Sequence, residues 1–148
     1  MKLKLSLYVI FIILLVNPFI SFASDNAFLN SHIKGNVPDE SDFKTLLSRD
    51  LNNYFSNSLK KSINTEYVLL RDGPTQSGVA YPKYYLWVKC YNVDNLIIEG
   101  AVRIAAIEKT HFEITNFVSL EDIRKGKINI NEIFPMPVCK VIRTYINK

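Results

Sequence analysis

The chain has 148 residues, of which 48% are hydrophobic, and its 18 basic and 14 acidic side chains give a formal net charge of +4. Basic residues cluster only at Arg124, Lys125 and Lys127, on a predicted surface turn, so the clustered basic face of a nucleic-acid-binding domain is missing. The two cysteines have no histidine nearby and fall short of the four ligands of a structural zinc site, so we expect no metal and no cofactor.

The first 23 residues have the pattern of a secretory signal peptide. Lys2 and Lys4 supply positive charge, residues 5–16 are almost entirely apolar, and Pro18 follows the apolar run. Small residues precede the expected cleavage site after Ala23. The alternative is a retained N-terminal anchor, because the apolar stretch nearly reaches the ~20 residues of a membrane span. Cleavage is the favoured interpretation, and it predicts a periplasmic or secreted protein.

Removal of this segment leaves roughly 125 residues, enough for one domain. Lys2 and Lys4 leave with it, so 16 of the 18 basic side chains remain against 14 acidic ones. Such a nearly neutral exported protein is expected to bind an envelope or secreted protein, or a small ligand, and not nucleic acid. Residues 24–37 show no sustained period and predict a flexible leader, with the domain following at 38–148.

A long amphipathic helix is predicted after Pro38. Its apolar residues recur at spacings of three and four: Phe43, Leu46, Leu47, Leu51, Tyr54, Phe55 and Leu59. Asp39 is a candidate N-cap, and Lys60 and Lys61 complement the negative end of the helix dipole. The predicted helix has about 20 residues and a length of about 30 Å.

Four strands follow, at 63–70, 83–91, 96–108 and 112–118, where the apolar period changes to two. Most of the connections are too short for a parallel crossover, so neighbouring strands are expected to pair antiparallel. Gly100 lies in the middle of the third strand and predicts a bulge or bend, and therefore a curved sheet.

Two helices are predicted after the sheet. A short one begins at Ser119 and ends before Gly126. The last has helical spacing in Val138, Val141, Ile142, Tyr145 and Ile146. The predicted fold class is therefore α+β, with a long N-terminal helix packed on a curved four-stranded antiparallel sheet and a short C-terminal helix.

Cys90 and Cys139 are the two cysteines, and an even count in an oxidising compartment predicts a disulfide between them. The bridge would close about 50 residues and contribute on the order of 3 to 4 kcal/mol. The alternative is a pair of buried thiols that act as small apolar residues.

The connection at 71–83 is the first candidate for a binding site. It is longer than the 2 to 5 residues usual in hairpin loops, and it contains two Gly, two Pro and several hydrogen-bonding side chains. Its spacing matches no phosphate-binding loop, and an ordinary long surface loop is the alternative. The predicted binding residues in and beside it are Gln76, Ser77, Tyr81, Lys83, Tyr85 and Trp87.

Aromatic residues follow this loop on the second strand. Strand alternation places Tyr85, Trp87 and Tyr91 on one face, opposite Tyr84 and Leu86. If the second of these faces packs on the long helix, the first forms an aromatic stripe suited to a ligand or a protein partner. Packing of the aromatic stripe in the core is the alternative.

The residues available for catalysis are few. His111 is predicted to be an exposed turn residue, and no nucleophile motif such as G-x-S-x-G occurs. Glu99 and Arg103 share one face of the third strand, where they could line a pocket or form a surface ion pair. These residues do not favour an enzyme.

The order of a long helix and a four-stranded meander over 39–118 resembles the cystatin-like superfold, which includes the nuclear-transport-factor-2-like domains. Inhibitory cystatins carry a Gln-x-Val-x-Gly loop in their first hairpin, followed by an aromatic strand. The counterpart here is Gln76 to Ala80, in which Gly78 stands two positions early and Ala80 takes the place of the family's glycine. The resemblance implies protease inhibition as an alternative to a binding or accessory role; a small enzyme with a sheet-lined pocket is a third hypothesis.

Overall fold

The computed structural model describes residues 29–147. The predicted signal peptide at 1–23 lies outside the described residues, as do residues 24–28 and 148. The elements are α1 (29–36), α2 (Glu40–Leu59), β1 (Asn64–Leu69), β2 (Lys83–Asn92), β3 (Asn95–Ile107), β4 (His111–Ser119), α3 (Leu120–Arg124), a 3-10 turn (Ile130–Glu132) and α4 (Met136–Ile146). This α+β architecture confirms the predicted fold class. Among the described helices, none combines the length and apolar character needed to cross a bilayer.

Helix α2 packs on the sheet through the apolar stripe that its spacing predicts. Leu47, Leu51 and Phe55 are buried, and their four-residue intervals place them on one side of the helix. Asp39 occupies the N-cap position without a side-chain capping bond, and its carboxylate instead accepts a hydrogen bond from Lys109 Nζ at 3.0 Å. Lys60 ends the helix in the left-handed conformation, with φ at 55°.

The sheet is an open antiparallel meander in the order β1-β2-β3-β4. Its ladder shifts register between Cys90 and Tyr91 and between Arg103 and Ile104, and not at Gly100, where the sequence predicts a bulge or bend. Gly100 is needed for a different reason. A Cβ atom there would lie 2.2 Å from the backbone oxygen of Val118, so no side chain fits.

Helices cover both faces of this sheet, and each face carries its own core. We call the buried cluster between the sheet and α2 the α2 core, and the cluster between the sheet and α4 the α4 core. Along β2 and β3, successive residues contribute alternately to these two cores. Tyr84, Leu86, Val88, Cys90, Val102 and Ile104 face α2, whereas Tyr85, Trp87 and Ala101 face α4. Strand β2 is therefore buried on both faces, so its sequence reads as a nearly continuous run of large apolar residues.

The predicted disulfide is wrong. Cys90 lies in the α2 core and Cys139 in the α4 core, and both are free and buried. A bridge would require the last helix to cover the face to which Cys90 contributes. Because α4 covers the other face, the sheet separates the two sulfur atoms, and the alternative of two buried thiols is what the structure shows.

Helix α1 falls in the segment whose sequence predicts a flexible leader. It is tied to the β3–β4 turn by Asn36, whose side chain is buried. Asn36 Oδ1 accepts a hydrogen bond from the Glu108 amide at 3.1 Å, and its backbone oxygen accepts one from the Lys109 amide at 2.8 Å. The described part of the segment is therefore helical and attached to the domain.

Candidate functional site: the loop between β1 and β2

The loop between β1 and β2 is closed at its base by backbone hydrogen bonds. The Thr75 amide donates to the Lys83 oxygen, and the Lys83 amide donates to the Thr75 oxygen, both at 2.8 Å. The buried Pro82 is also held to β3, because its oxygen accepts from the Ala106 amide at 2.8 Å. These bonds give the loop a defined shape next to the sheet.

Five of the six predicted binding residues line one cavity in this loop, which we call the loop cavity. Its volume is about 180 Å³. Its lining consists of Thr75, Gln76, Ser77, Ala80, Tyr81, Lys83 and Tyr85. A cluster of hydroxyl, carboxamide and ammonium groups at one concave place is the arrangement by which a binding site fixes the orientation of a ligand.

Gln76 organises the tip of the loop. Its Nε2 donates to the backbone oxygen of Gly78 at 3.2 Å and also to that of Ala80. Gly78 has a φ of 54°, a left-handed conformation that glycine adopts without steric cost. The remaining polar atom of the side chain, Oε1, is buried and has no hydrogen-bond partner. Such an unsatisfied acceptor costs about 1 to 3 kcal/mol, and functional sites are among the places where proteins retain one.

Tyr85 connects the loop cavity to the α4 core. Its hydroxyl forms a 2.7 Å hydrogen bond with Thr75 Oγ1, and its ring packs edge-on against Phe134 at a centroid distance of 6.2 Å. Only 4% of Tyr85 is exposed, so the residue forms the floor of the cavity and supports its base. In this cavity Tyr85 has a positioning role.

The rim of the loop cavity is exposed and partly apolar. Val79 is 80% exposed and Tyr81 is 42% exposed. The Tyr81 ring stacks on His32 of α1, with centroids 6.5 Å apart and an interplanar angle of 20°. The rim therefore combines the loop tip with His32, which lies more than 40 positions earlier in the chain.

Trp87, the sixth predicted binding residue, does not line the loop cavity. It is 2% exposed and lies in the α4 core, where its ring stacks on Tyr145 at 4.8 Å. Its Nε1 donates to Glu99 Oε2 at 3.2 Å. The aromatic stripe is covered at Tyr85 and Trp87 because α4 packs on that face, which is the core-packing alternative. Tyr91, the third residue of the stripe, is only partly buried.

Glu99, Arg103 and His111 do not line a common cavity among the described residues. Glu99 borders a cavity beside α3, and His111 borders another beside α2. Arg103 donates hydrogen bonds to Thr115 Oγ1 at 3.1 Å and to the backbone oxygen of Ile133 at 3.0 Å, which joins β4 to the segment before α4. The geometry gives no support to an enzyme built on these three residues.

Three contributions to the site are missed by sequence reasoning. Thr75 and Ala80 line the cavity, and α1 contributes His32 to its rim. Nothing in the sequence singles out Thr75, because the bridge that closes the loop uses its backbone groups. The contact with α1 depends on the tertiary fold.

The described residues contain no group of three or more His, Cys, Asp or Glu side chains placed to hold a metal ion. Comparison with known proteins found no matching family model, no similar curated protein and no similar solved structure.

Proposed function

We propose that this chain is an exported binding module that recognises a protein partner through the loop cavity and its exposed rim. One observation carries the proposal: Gln76, Ser77, Tyr81, Lys83 and Tyr85 line a single cavity, and the buried oxygen of Gln76 there has no hydrogen-bond partner. The hydroxyl, carboxamide and ammonium groups that line the cavity can donate and accept hydrogen bonds to a polar side chain of a partner. Export follows from the signal-peptide pattern of residues 1–23.

The size of the cavity favours a protein partner over a small molecule. Sites for small molecules usually have about 300 to 1,000 Å³, whereas the loop cavity has about 180 Å³. That space suits one polar side chain of a partner. Val79 and Tyr81 beside it extend the contact surface, and tyrosine is one of the residues that contribute most to protein interfaces.

The test compares variants of the rim and of the cavity. The protein is immobilised and used to capture proteins from an envelope extract, and the affinity of the captured partner is then measured. We expect Gln76→Ala and Tyr81→Ala each to weaken binding about tenfold or more, because buried contacts at the centre of an interface carry most of its free energy. Asn57→Ala, an exposed position on α2, is the matched control and should bind as the parent does.

Far-ultraviolet circular dichroism and the urea midpoint show whether each variant is folded. If folded Gln76→Ala and Tyr81→Ala proteins bind the partner as tightly as Asn57→Ala does, the loop cavity is not the binding site. Trp87 is unsuitable for this comparison, because its substitution disturbs the α4 core.

A second candidate is inhibition of a papain-type protease, and it rests on where the loop lies. The loop connects the first two strands of a four-stranded meander packed on a 20-residue helix, and Val79 at its tip is 80% exposed. The residues Gln76 to Ala80 are those that resemble the inhibitory loop of cystatins. The expected result is inhibition of papain by the purified protein, lost in Val79→Asp; the absence of inhibition at micromolar protein would rule this candidate out.

A further inference from the structure

The tip of the β2–β3 hairpin carries an apolar residue in an unfavourable conformation. Asn92 pairs with Asn95, so Val93 and Asp94 form a two-residue turn. Val93 has a φ of 55°, which is rare for a β-branched residue, and it is 81% exposed. Glycine or asparagine is the usual choice at such a position. Valine thus raises the free energy of this turn without contributing to either core.

The apolar surface continues from the turn into β3. Leu96 is 47% exposed and Ile97 is 38% exposed. The register shift places Tyr91 opposite Leu96 and Cys90 opposite Ile98, so Ile97 is the extra residue of a bulge. Val93, Leu96 and Ile97 therefore form one exposed apolar group, which we call the hairpin tip.

Basic side chains flank the hairpin tip on both faces of the sheet. On the α2 side, Lys60 and Lys61 are exposed, and a 2.7 Å hydrogen bond from Asn92 Nδ2 to the Ser62 oxygen holds their turn against the hairpin. On the α3 side, Arg124 and Lys125 line a cavity of about 470 Å³ together with Leu96 and Ile97.

The acidic side chains around the hairpin tip are fewer than the basic ones. Glu121 is paired with Lys125, whereas the hydrogen bond that Glu99 accepts comes from the neutral indole of Trp87 and offsets no charge. Asp94 lies in the turn itself. Lys60, Lys61 and Arg124 outnumber Asp94 and Glu99, which leaves the surroundings of the hairpin tip net positive. The Arg124 guanidinium also donates a hydrogen bond to the Ile146 oxygen at 3.0 Å.

We propose that the hairpin tip is a membrane-contact site that docks on an anionic lipid surface. Val93, Leu96 and Ile97 enter the boundary between headgroups and acyl chains, while Lys60, Lys61 and Arg124 contact the phosphates. The charge of the flanking residues complements such a surface. Val93 projects from the two-residue turn with 81% of its surface exposed, and a bilayer accepts such a protruding apolar residue without the shape complementarity that a protein partner needs.

The contact lies at the opposite end of the sheet from the loop cavity. Strand β2 begins at Lys83, which lines that cavity, and ends at Asn92 in the hairpin. A molecule docked by its hairpin tip therefore presents the loop cavity away from the lipid. The membrane contact does not depend on the function proposed for the loop, and each is tested separately.

The first measurement is cosedimentation with vesicles of phosphatidylcholine, with or without phosphatidylglycerol, using protein recovered from cells that express the full chain. Val93→Gly removes the apolar side chain and suits the left-handed turn. We expect it to lower vesicle binding about tenfold, without lowering the thermal midpoint. The matched control is Val79→Gly, which removes a valine of almost equal exposure at the other end of the molecule and should bind vesicles as the parent does. Lys60→Gln with Lys61→Gln should reduce the preference for anionic vesicles about thirtyfold.

The second measurement reports on the hairpin itself. Both native cysteines are buried, so a polarity-sensitive fluorophore on Asn95→Cys labels the hairpin selectively in the native protein. Its emission should shift to the blue on anionic vesicles, whereas a label on Ser77→Cys should not respond. Equal vesicle binding by Val93→Gly and Val79→Gly, or no response of the hairpin label, would overturn the proposal. If the emission of the hairpin label shifts with lipid-free envelope proteins and not with vesicles, the hairpin tip contacts protein and the proposal is wrong.

Discussion

Cys90 and Cys139 are both fully buried, and they lie on opposite faces of one sheet. Cys90 packs beneath α2, while Cys139 is in α4, where its Sγ lies 3.2 Å from the backbone oxygen of Phe134. The sheet between them separates two independent cores. The thiols therefore report on the two sides of the molecule separately.

Neither thiol should react in the native protein. We expect a thiol reagent such as dithionitrobenzoate to detect no groups under native conditions and two groups in guanidinium, and a reducing agent to leave the melting temperature unchanged. The reason is burial, which raises the pKa of both thiols and excludes the reagent. An oxidised intramolecular form, two mass units lighter, would contradict the two-core arrangement.

Stability should fall at alkaline pH. Burial raises the pKa of the Cys90 thiol from 9.0 to about 12. Above pH 9 the unfolded chain releases this proton while the native protein keeps it, so the free energy of unfolding decreases as the pH rises from 9 towards 12. Below that range the contribution is fully present. Urea titrations at several pH values should show a shallower decline for Cys90→Ala. Some slope should remain, because burial also raises the pKa of Tyr84. An identical slope in both proteins would refute this assignment.

Gly100→Ala should destabilise the protein by about 2 to 3 kcal/mol. The added Cβ would meet the Val118 oxygen at 2.2 Å and the Ser119 Cα at 2.8 Å, and these backbone atoms move only if β4 shifts. Gly35→Ala is the matched control, because nothing lies within 4 Å of its Cβ and alanine favours the helical conformation of α1. Urea unfolding measures the free energy of unfolding of both variants. Equal stability of the two variants would show that the backbone of β4 does not approach Gly100 this closely.

Asn36→Ala should release α1 from the domain. The substitution removes the acceptor of the Glu108 amide and the donor to the His32 oxygen, which lies 2.9 Å from Asn36 Nδ2. We expect a loss of about 1 to 2 kcal/mol and faster amide exchange in residues 29–36, with β2 and β3 unaffected. Lys34→Ala, at an exposed position of the same helix, should change neither measurement. Unchanged exchange in Asn36→Ala would show that other contacts hold the helix.

Trp87→Phe should affect stability and not partner binding. The change removes the hydrogen bond to Glu99 and reduces the stacked surface against Tyr145, which we expect to cost about 1 to 3 kcal/mol. Trp87 is the only tryptophan, so the tryptophan fluorescence of the protein comes from this residue. Tyr145→Ala should expose the Trp87 ring and shift this emission to longer wavelength. A folded Trp87→Phe protein that loses its partner would return this residue to the binding site.

The candidate site is only partly predictable from the sequence. Loop length and composition identified the connection between β1 and β2, and the structure brings Gln76, Ser77, Tyr81, Lys83 and Tyr85 around one cavity there. Trp87 is wrongly predicted to line the site, because strand alternation shows which residues share a face but not which element covers that face. Apolar and polar residues do not alternate along β2, because both of its faces are buried. The sequence of this strand therefore does not distinguish a core face from a solvent face.

The sequence by itself determined the four strands, the helices α2, α3 and α4, and their order. Apolar periods of 3.6 and 2 and the residues of the turns are local signals, and they predicted the long helix, the four antiparallel strands and the last helix. Only the tertiary structure decided that α2 and α4 lie on opposite faces, and with it the separation of Cys90 from Cys139 and the burial of Trp87. The choice of face depends on how two apolar sheet surfaces and two amphipathic helices pack together, which is a property of the whole chain and not of any segment.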